Sequence, residues 1–260
     1  MKMRGLQSAG YYDKIEEKEE EGVFHMKILV WNEYRHEFKD EKVHDIYPDG
    51  IHNTIAAFLR AEGHEVLTAT LPEENCGLSE ALLDSVDVLI WWGHMCHGEV
   101  PDAVAALVQK KVLEGMGFIA LHSAHHSKPF KLLMGTSCNL SWREDGDYEL
   151  LWAAKPSHPI AQGIDRYFKI AHEETYGEPF DIPEPDETVF ISSYAGGEVF
   201  RAGLCFYRGN GRIFYFQPGH ETYPIYHDEN VQRVIKNAVL WAKPTYRAPL
   251  ECPHVKKITL

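Results

Sequence analysis

The chain has 260 residues, enough for one α/β domain with a sizeable hydrophobic core. Its formal net charge of -13, from 26 Lys+Arg against 39 Asp+Glu, repels the phosphates of nucleic acids and anionic lipids, so we expect neither nucleic acid nor a membrane as a partner. No apolar run approaches the roughly 20 residues that cross a bilayer, and the N-terminus lacks a secretory pattern, which predicts a cytoplasmic protein.

The cysteines are scattered along the chain and form no C-x-x-C pair. This distribution favours reduced thiols in a reducing compartment over a disulfide framework. We interpret most of them as small, buried hydrophobic side chains. They are Cys76, Cys96, Cys138, Cys205 and Cys252.

Residues 1–25 differ in kind from the rest, with an acidic run over 16–21 and no regular apolar spacing. We interpret them as an N-terminal appendage, because acidic runs are usually solvated. An apolar strand starts directly after Met26, which suggests that the natural protein begins there. A single domain is expected over 26–244, followed by a C-terminal tail over 245–260.

The first half of the domain alternates short apolar strands with amphipathic helices. Strands are predicted at 27–31, 65–70, 86–92 and 118–121. Helices are predicted from Ile51 to just before Gly63, over 79–84, and from Pro101 to Gly115. This rhythm predicts right-handed βαβ crossovers and a flavodoxin-like, doubly wound, mainly parallel sheet with helices on both faces.

The second half is richer in strands and ends in one helix. Its strands are predicted at 148–154, 167–171, 188–193, 202–207 and 213–216. The last two flank the turn Gly209-Asn210-Gly211, which predicts a hairpin. The closing helix is expected at 230–241, ending before Pro244.

Histidines follow five of the predicted strands, usually with a carboxylate nearby. The segments are Asn32–His36, Gly93–His97, His122–His126, His172–Tyr176 and Gln217–Glu221. In an open parallel sheet, ligands bind outside the carboxyl ends of the strands, on loops that a rigid scaffold positions. We therefore expect these histidines to meet at one site.

Several kinds of chemistry lack their motif in this chain. The elbow Leu121–His125 has no G-x-S-x-G, which argues against a serine hydrolase. It also lacks the cysteine of a class I glutamine amidotransferase, although 216–221 resembles the downstream histidine–glutamate pair of that class. Neither G-x-G-x-x-G nor a P-loop is present, so dinucleotide binding and phosphoryl transfer have no support.

Metal binding and acid/base catalysis both remain open. The spacings of His94 with His97 and of His122 with His125 suit imidazole ligands of a divalent metal, zinc above all. Alternatively, these histidines hydrogen-bond a polyol. The pairs His172-Glu173 and His220-Glu221 suit proton transfer near neutral pH. Aromatic residues near the same edge could stack on sugar faces, among them Trp142, Tyr176 and Tyr223.

Five segments together resemble the ThuA-like, or trehalose-utilisation, family over about residues 26–243. They are 28–33, 89–94, 117–124, 172–176 and 217–221. The resemblance implies a flavodoxin-like sheet related to class I glutamine amidotransferases, without the elbow cysteine. It also implies use of trehalose or related disaccharides, often alongside oxidoreductases that generate 3-keto sugars.

The matching positions imply a set of site residues. The expected catalytic residues are His122, His172, Glu173 and His220. The expected substrate-binding residues are Asn32, Arg35, His94, Ser123, Tyr176, Gln217 and Glu221. The candidate metal ligands are His94, His97, His122 and His125.

The mechanistic hypothesis is proton abstraction next to a keto or hemiacetal carbon. Glu173 or His220 would act as base, and His122, with or without a metal, would stabilise the developing oxyanion. Two alternatives stay open: a non-catalytic sugar-binding or regulatory module on a degenerate amidotransferase scaffold, and a metal-dependent enzyme acting on another small polar substrate. A homo-oligomer is expected by analogy with the family.

Overall fold

The computed structural model describes residues 25–258. Residues 1–24, nearly all of the predicted appendage, lie outside the described part of the chain. The strands are β1 (Lys27–Asn32), β2 (Glu65–Thr70), β3 (Val88–Trp92), β4 (Gly117–Leu121), β5 (Ser141–Arg143), β6 (Glu149–Ala153), β7 (Tyr167–Ile170), β8 (Thr175–Gly177), β9 (Glu187–Tyr194), β10 (Val199–Arg208) and β11 (Gly211–Phe216). The α-helices are α1 (His36–Lys39), α2 (Glu41–Ile46), α3 (Ile51–Ala61), α4 (Glu80–Ser85), α5 (Asp102–Leu113), α6 (Lys128–Met134) and α7 (Glu229–Ala242).

A large sheet runs through the domain in the order β2-β1-β3-β4-β11-β10-β9-β6-β7. The strands from β2 to β11 pair in parallel, and the strands beyond β11 continue the sheet in antiparallel pairs. This confirms the predicted flavodoxin-like α/β fold with a strand-rich second half. The hairpin of β10 and β11 is also confirmed, with Arg208 opposite Gly211 at its turn.

The direction of the crossovers explains why helices cover both faces of the sheet. The chain passes from β1 through α3 to β2 in one direction, and from β3 through α5 to β4 in the other. Right-handed crossovers in opposite directions lie on opposite faces. Accordingly, α3 packs against α7, whereas α5 packs against α4 and α6.

The central strands are apolar along their whole length because both of their faces are covered. Every residue of β3 and β4 is buried, as expected for strands inside a doubly wound sheet. On α3, Ile51, Ile55 and Leu59 form the buried face. The helix ends before Gly63, whose φ of 87° ends the helical backbone at low steric cost.

A small two-stranded sheet of β5 and β8 was not predicted from the sequence. Trp142 of β5 lies opposite Tyr176 of β8 in this antiparallel pair. Each strand has three residues, too few for an alternating apolar pattern to stand out. Both of these aromatic residues line the cleft described below.

Residues 245–258 contain neither helix nor strand. The Arg247 guanidinium donates to the carbonyl oxygens of Leu83 and Val86, and the Ala248 N–H donates to Glu114. The predicted division into appendage, domain and tail stays a prediction. Among the described residues, none of the helices is both long and apolar enough to cross a membrane.

Candidate active site

A cleft opens at the carboxyl ends of the central parallel strands. Its volume is about 370 Å³, at the lower end of the ~300–1,000 Å³ typical of small-molecule pockets. The loops after β3, β4 and β11 supply its polar floor, and the β5–β8 ribbon supplies an aromatic wall. The lining residues are His94, Met95, Ser123, His125, His126, Leu140, Trp142, Glu144, Glu174, Tyr176 and His220.

His122 stands at the turn that follows β4, with a positive φ of 54°. This backbone conformation is uncommon outside glycine and marks a strained elbow of the kind found at functional sites. Its side chain is fully buried, and Nδ1 donates to the carbonyl oxygen of Gln217 at 3.0 Å. Because a carbonyl oxygen can only accept, Nε2 is the nitrogen that carries the lone pair in the neutral ring.

The free nitrogen of His122 faces a carboxylate. Nε2 lies 3.1 Å from Glu174 Oε2, but the two atoms are not aligned for a hydrogen bond, and neither has a hydrogen-bond partner among the described residues. Burial alone would raise the pKa of Glu174, but the neighbouring histidines, His122 first, outweigh it and lower the pKa. Glu174 is therefore ionised at neutral pH.

His94, after β3, is held by two carboxylates. Its Nδ1 lies 2.8 Å from Glu221 Oε2, while Glu33 accepts the backbone N–H groups of residues 94–96. Burial would lower the pKa of His94, but the Glu221 carboxylate outweighs it and the pKa is raised. The pKa of Glu221 falls below its usual range despite burial, because His94 stabilises its charged form.

His220, after β11, completes a group of three close imidazoles. Its Nδ1 lies 2.9 Å from Thr222 Oγ1 and 3.3 Å from the Thr222 amide nitrogen. Its Nε2 lies 3.5 Å from Glu144 Oε2. Burial, helped by the charges of His122 and His94, lowers the pKa of His220 to about 4, so the ring is neutral at physiological pH.

The three rings converge. The ring centroids of His94, His122 and His220 lie between 5.1 and 5.5 Å apart. One possible ligand atom from each of these residues and from Glu221 lies within 4.8 Å of the others. A second such group consists of Glu144, Glu174 and His220. The site is therefore a polar floor of histidines edged by carboxylates.

The family model for ThuA, described as trehalose utilisation, matches residues 27–242. The chain belongs to the ThuA family. Membership supports a role associated with carbohydrate utilisation, as the sequence predicts. No curated protein matches the chain at a significant level.

Solved structures share the fold. A ThuA-like protein from Bacteroides uniformis has a TM-score of 0.64 at 15% identity, covering 84% of this chain and 91% of its own. Another from Parabacteroides merdae has a TM-score of 0.61 at 16% identity, covering 88% and 95%. A GMP synthase protein from Thermoplasma acidophilum has a TM-score of 0.52 at 14% identity, covering 83% and 93%. At these identities the likeness shows the fold alone, and the predicted relation to amidotransferase-like folds is confirmed.

In this ThuA-family chain, the neighbouring carboxylates Glu173 and Glu174 differ in what they contact. Glu173, predicted as a base, is fully buried and accepts the N–H groups of Gly219, His220 and Glu174 at 2.8 to 3.1 Å. Burial, reinforced by the charge of Glu149, raises the pKa of Glu173 well above its usual value. Glu173 thus supports the loop that carries His220, and Glu174 is the carboxylate that lines the cleft.

Of the four candidate metal ligands, His94 and His122 lie in the group of close imidazoles. His97 and His125 lie outside it: His125 Nδ1 donates to the Cys138 carbonyl oxygen at 2.8 Å, and the His97 ring lies 6.1 Å from that of His126. Burial lowers the pKa of His97 to about 4. His125 still lines the cleft.

The predicted substrate-binding residues divide between the cleft and its surroundings. Ser123 and Tyr176 line the cleft, with their hydroxyl oxygens 2.6 Å apart, and His94 lines it too. The remaining four bond protein groups instead: Asn32 with Glu37 and His52, Arg35 with Glu99, Gln217 with the Glu174 carbonyl oxygen, and Glu221 with His94. The predicted catalytic residue His172 is exposed and bonds the Gly146 carbonyl oxygen.

The structure adds residues that the sequence reasoning did not select. Glu174 stands beside the selected Glu173, and Glu144 lies on an exposed loop with no motif around it. Met95 is 70% exposed at the cleft, and Trp142, considered only as one of many aromatic residues, is 67% exposed. A large apolar side chain left in solvent is the signal that separates Trp142 from the buried tryptophans Trp31, Trp91 and Trp92.

Proposed function

We propose that the protein is an enzyme acting on trehalose or a related disaccharide that carries a ketone. The reaction is proton transfer at the carbon next to the carbonyl group, with Glu174 as the general base. One observation carries the proposal: the Glu174 carboxylate lines the cleft together with the imidazoles of His94 and His220.

The proposed step balances without a further reactant. Glu174 takes the proton from the carbon next to the carbonyl, the C–H electron pair forms a carbon–carbon double bond, and the carbonyl oxygen becomes an oxyanion. The imidazoles of His94 and His220 line the cleft where this negative charge develops. Return of a proton to the same carbon completes an exchange. If the proton of the neighbouring hydroxyl first moves to the oxyanion, protonation of the former carbonyl carbon completes an isomerisation.

The shape of the cleft supports a sugar as substrate. A sugar ring has apolar C–H faces and a polar edge, which matches the indole of Trp142 on the wall and polar groups on the floor. Ser123 Oγ and Tyr176 OH can exchange their mutual hydrogen bond for bonds to sugar hydroxyls. We further expect the enzyme to act in the cytoplasm, because its cysteines are free.

Solvent hydrogen exchange tests the reaction directly. The purified protein is incubated in D2O with trehalose oxidised to a ketone at one ring carbon, and proton NMR follows loss of the signal next to the carbonyl. We expect exchange well above the buffer rate. Glu174→Gln should slow it by roughly 100-fold or more, as removal of a general base does, while Glu144→Gln serves as a matched carboxylate variant with a smaller effect.

Other results would contradict the proposal. Saturable binding of the keto sugar without any exchange would favour a non-catalytic sugar-binding module on this scaffold. Unchanged exchange in Glu174→Gln would remove Glu174 from the base role.

A further inference from the structure

We propose that His94, His122 and His220 bind one divalent transition-metal ion of the zinc type. The metal site rests on its own geometry, and only its part in sugar chemistry depends on the function proposed above. A catalytic zinc takes about three protein ligands, commonly imidazoles, and keeps a further position open for water or substrate. These three imidazoles come from three different loops at the carboxyl end of the sheet.

In each of the three rings, Nδ1 contacts a polar group of a residue that is not one of the proposed ligands. The partners are the Glu221 carboxylate for His94, the Gln217 carbonyl oxygen for His122, and the Thr222 hydroxyl for His220. Metal-binding histidines almost always donate their second ring N–H to such a group, which fixes the tautomer and the ring orientation. In the structure the Thr222 backbone N–H donates to His220 Nδ1 at 3.3 Å. Metal binding through Nε2 requires Nδ1 to give up this bond and to donate instead to Thr222 Oγ1, which lies 2.9 Å away.

With Nδ1 engaged in every case, Nε2 remains for the metal. His122 Nε2 is fully buried, has no hydrogen-bond partner among the described residues, and lies 3.1 Å from the equally unpartnered Glu174 Oε2. A lone pair facing a carboxylate at this distance is unfavourable, so either a proton on Nε2 or a metal cation lies close to both atoms.

The ligand type selects the class of metal. Imidazoles favour zinc, copper, iron and nickel over magnesium and calcium, which prefer oxygen. Both Glu221 oxygens contact His94 Nδ1, and one of them also lies 3.4 Å from His36 Nε2, so we assign Glu221 as the partner of the ligand His94 and not as a ligand itself. Glu174 also remains outside the set, free to act as base.

Metal analysis of the full chain tests the site without any assay of activity. The protein is stripped with chelator, reloaded with Zn²⁺, desalted and analysed by mass spectrometry, and Co²⁺ loading is followed by visible absorption. We expect about one zinc per chain and the absorption bands of tetrahedral cobalt. His94→Ala and His220→Ala should each weaken zinc binding by more than the roughly 10- to 100-fold that is typical when a residue hydrogen-bonded to a metal ligand is replaced.

The controls distinguish metal binding at this site from metal binding by other histidines, and they test the site independently of the proposed reaction. His126→Ala removes a histidine that lines the cleft outside the group, and it should keep the metal; circular dichroism shows that each variant is folded. Absence of stoichiometric zinc from folded wild type, or equal retention by a folded His94→Ala/His220→Ala double variant, would overturn the site. Zinc bound without keto-sugar exchange would overturn the proposed reaction and leave the metal site standing.

Discussion

Glu173 and Glu174 are consecutive, yet Glu173 accepts three backbone N–H groups in the interior while Glu174 lines the cleft. Their substitutions should therefore separate stability from activity. Glu173→Gln replaces one acceptor oxygen with a donor against buried N–H groups, so we expect a loss of about 1–3 kcal/mol in the free energy of unfolding. Glu174→Gln should change it by much less. Urea unfolding of both variants measures the difference, and equal losses would contradict this assignment.

Trp142 should contribute to sugar affinity without contributing to the fold. Its indole is 67% exposed on the β5–β8 ribbon, so truncation leaves no cavity in the core. Trp142→Ala should weaken disaccharide binding roughly tenfold, about 1.4 kcal/mol, through loss of apolar contact with the ring face. Calorimetric titration measures the change. Tyr246→Ala is the control, because this exposed tyrosine lies by Gly115, before β4 and away from the cleft. An equal loss of disaccharide affinity in Tyr246→Ala would argue against a specific contact between Trp142 and the sugar.

The start of α7 offers a test confined to stability. The Asp228 carboxylate accepts the N–H groups of Asn230 and Val231 at 2.8 and 3.1 Å, the contacts of an N-cap. Asp228→Ala should cost about 1 kcal/mol of unfolding free energy, whereas Asp228→Asn should cost little, because asparagine caps helices about as well. Thermal unfolding compares the two variants. A large loss with asparagine would mean that the charge, not the cap, is what stabilises this helix.

The sequence predicts the fold well because its signal is local and repeated. Apolar runs such as Val88–Trp92 and the face of Ile51, Ile55 and Leu59 report burial directly, and parallel topology then follows from the alternation of strands and helices. The short ribbon of β5 and β8 is set instead by tertiary packing. Three-residue strands carry too little pattern to be found in advance.

The arrangement of the site is harder to predict from the sequence than the fold is. Topology brings the histidines after β3, β4 and β11 to one edge, so the meeting of His94, His122 and His220 could be expected. Which way a loop side chain turns depends on backbone conformation that no spacing rule gives. Glu173 turns inward to cap N–H groups and Glu174 turns to the cleft, although their sequence surroundings are nearly the same.

Glu149 should make the stability of the protein depend on pH. Its side chain on β6 is fully buried, accepts from Ser192 Oγ and Tyr194 OH, and leaves Oε2 without a partner among the described residues. Burial raises the pKa of Glu149 to about 8. In the unfolded chain the same group ionises near 4.5.

These two pKa values determine how the stability of the protein changes with pH. Below about 4.5 both states are protonated and the contribution of Glu149 to stability is fully present. Between 4.5 and about 8 the unfolded state loses its proton while the folded state keeps it, so the free energy of unfolding falls as pH rises. The total fall attributable to this group is no more than about 5 kcal/mol.

Glu149→Gln cannot ionise and should therefore lose stability less steeply between pH 5 and pH 8.5. Urea unfolding at both pH values measures the change, with the exposed Glu65→Gln as a control for the loss of one negative charge. Because the charge of Glu149 also raises the pKa of Glu173, the difference between wild type and Glu149→Gln includes the change that this substitution causes in the titration of Glu173. Parallel stability profiles for wild type and Glu149→Gln would show that the Glu149 carboxyl group titrates alike in the folded and unfolded states.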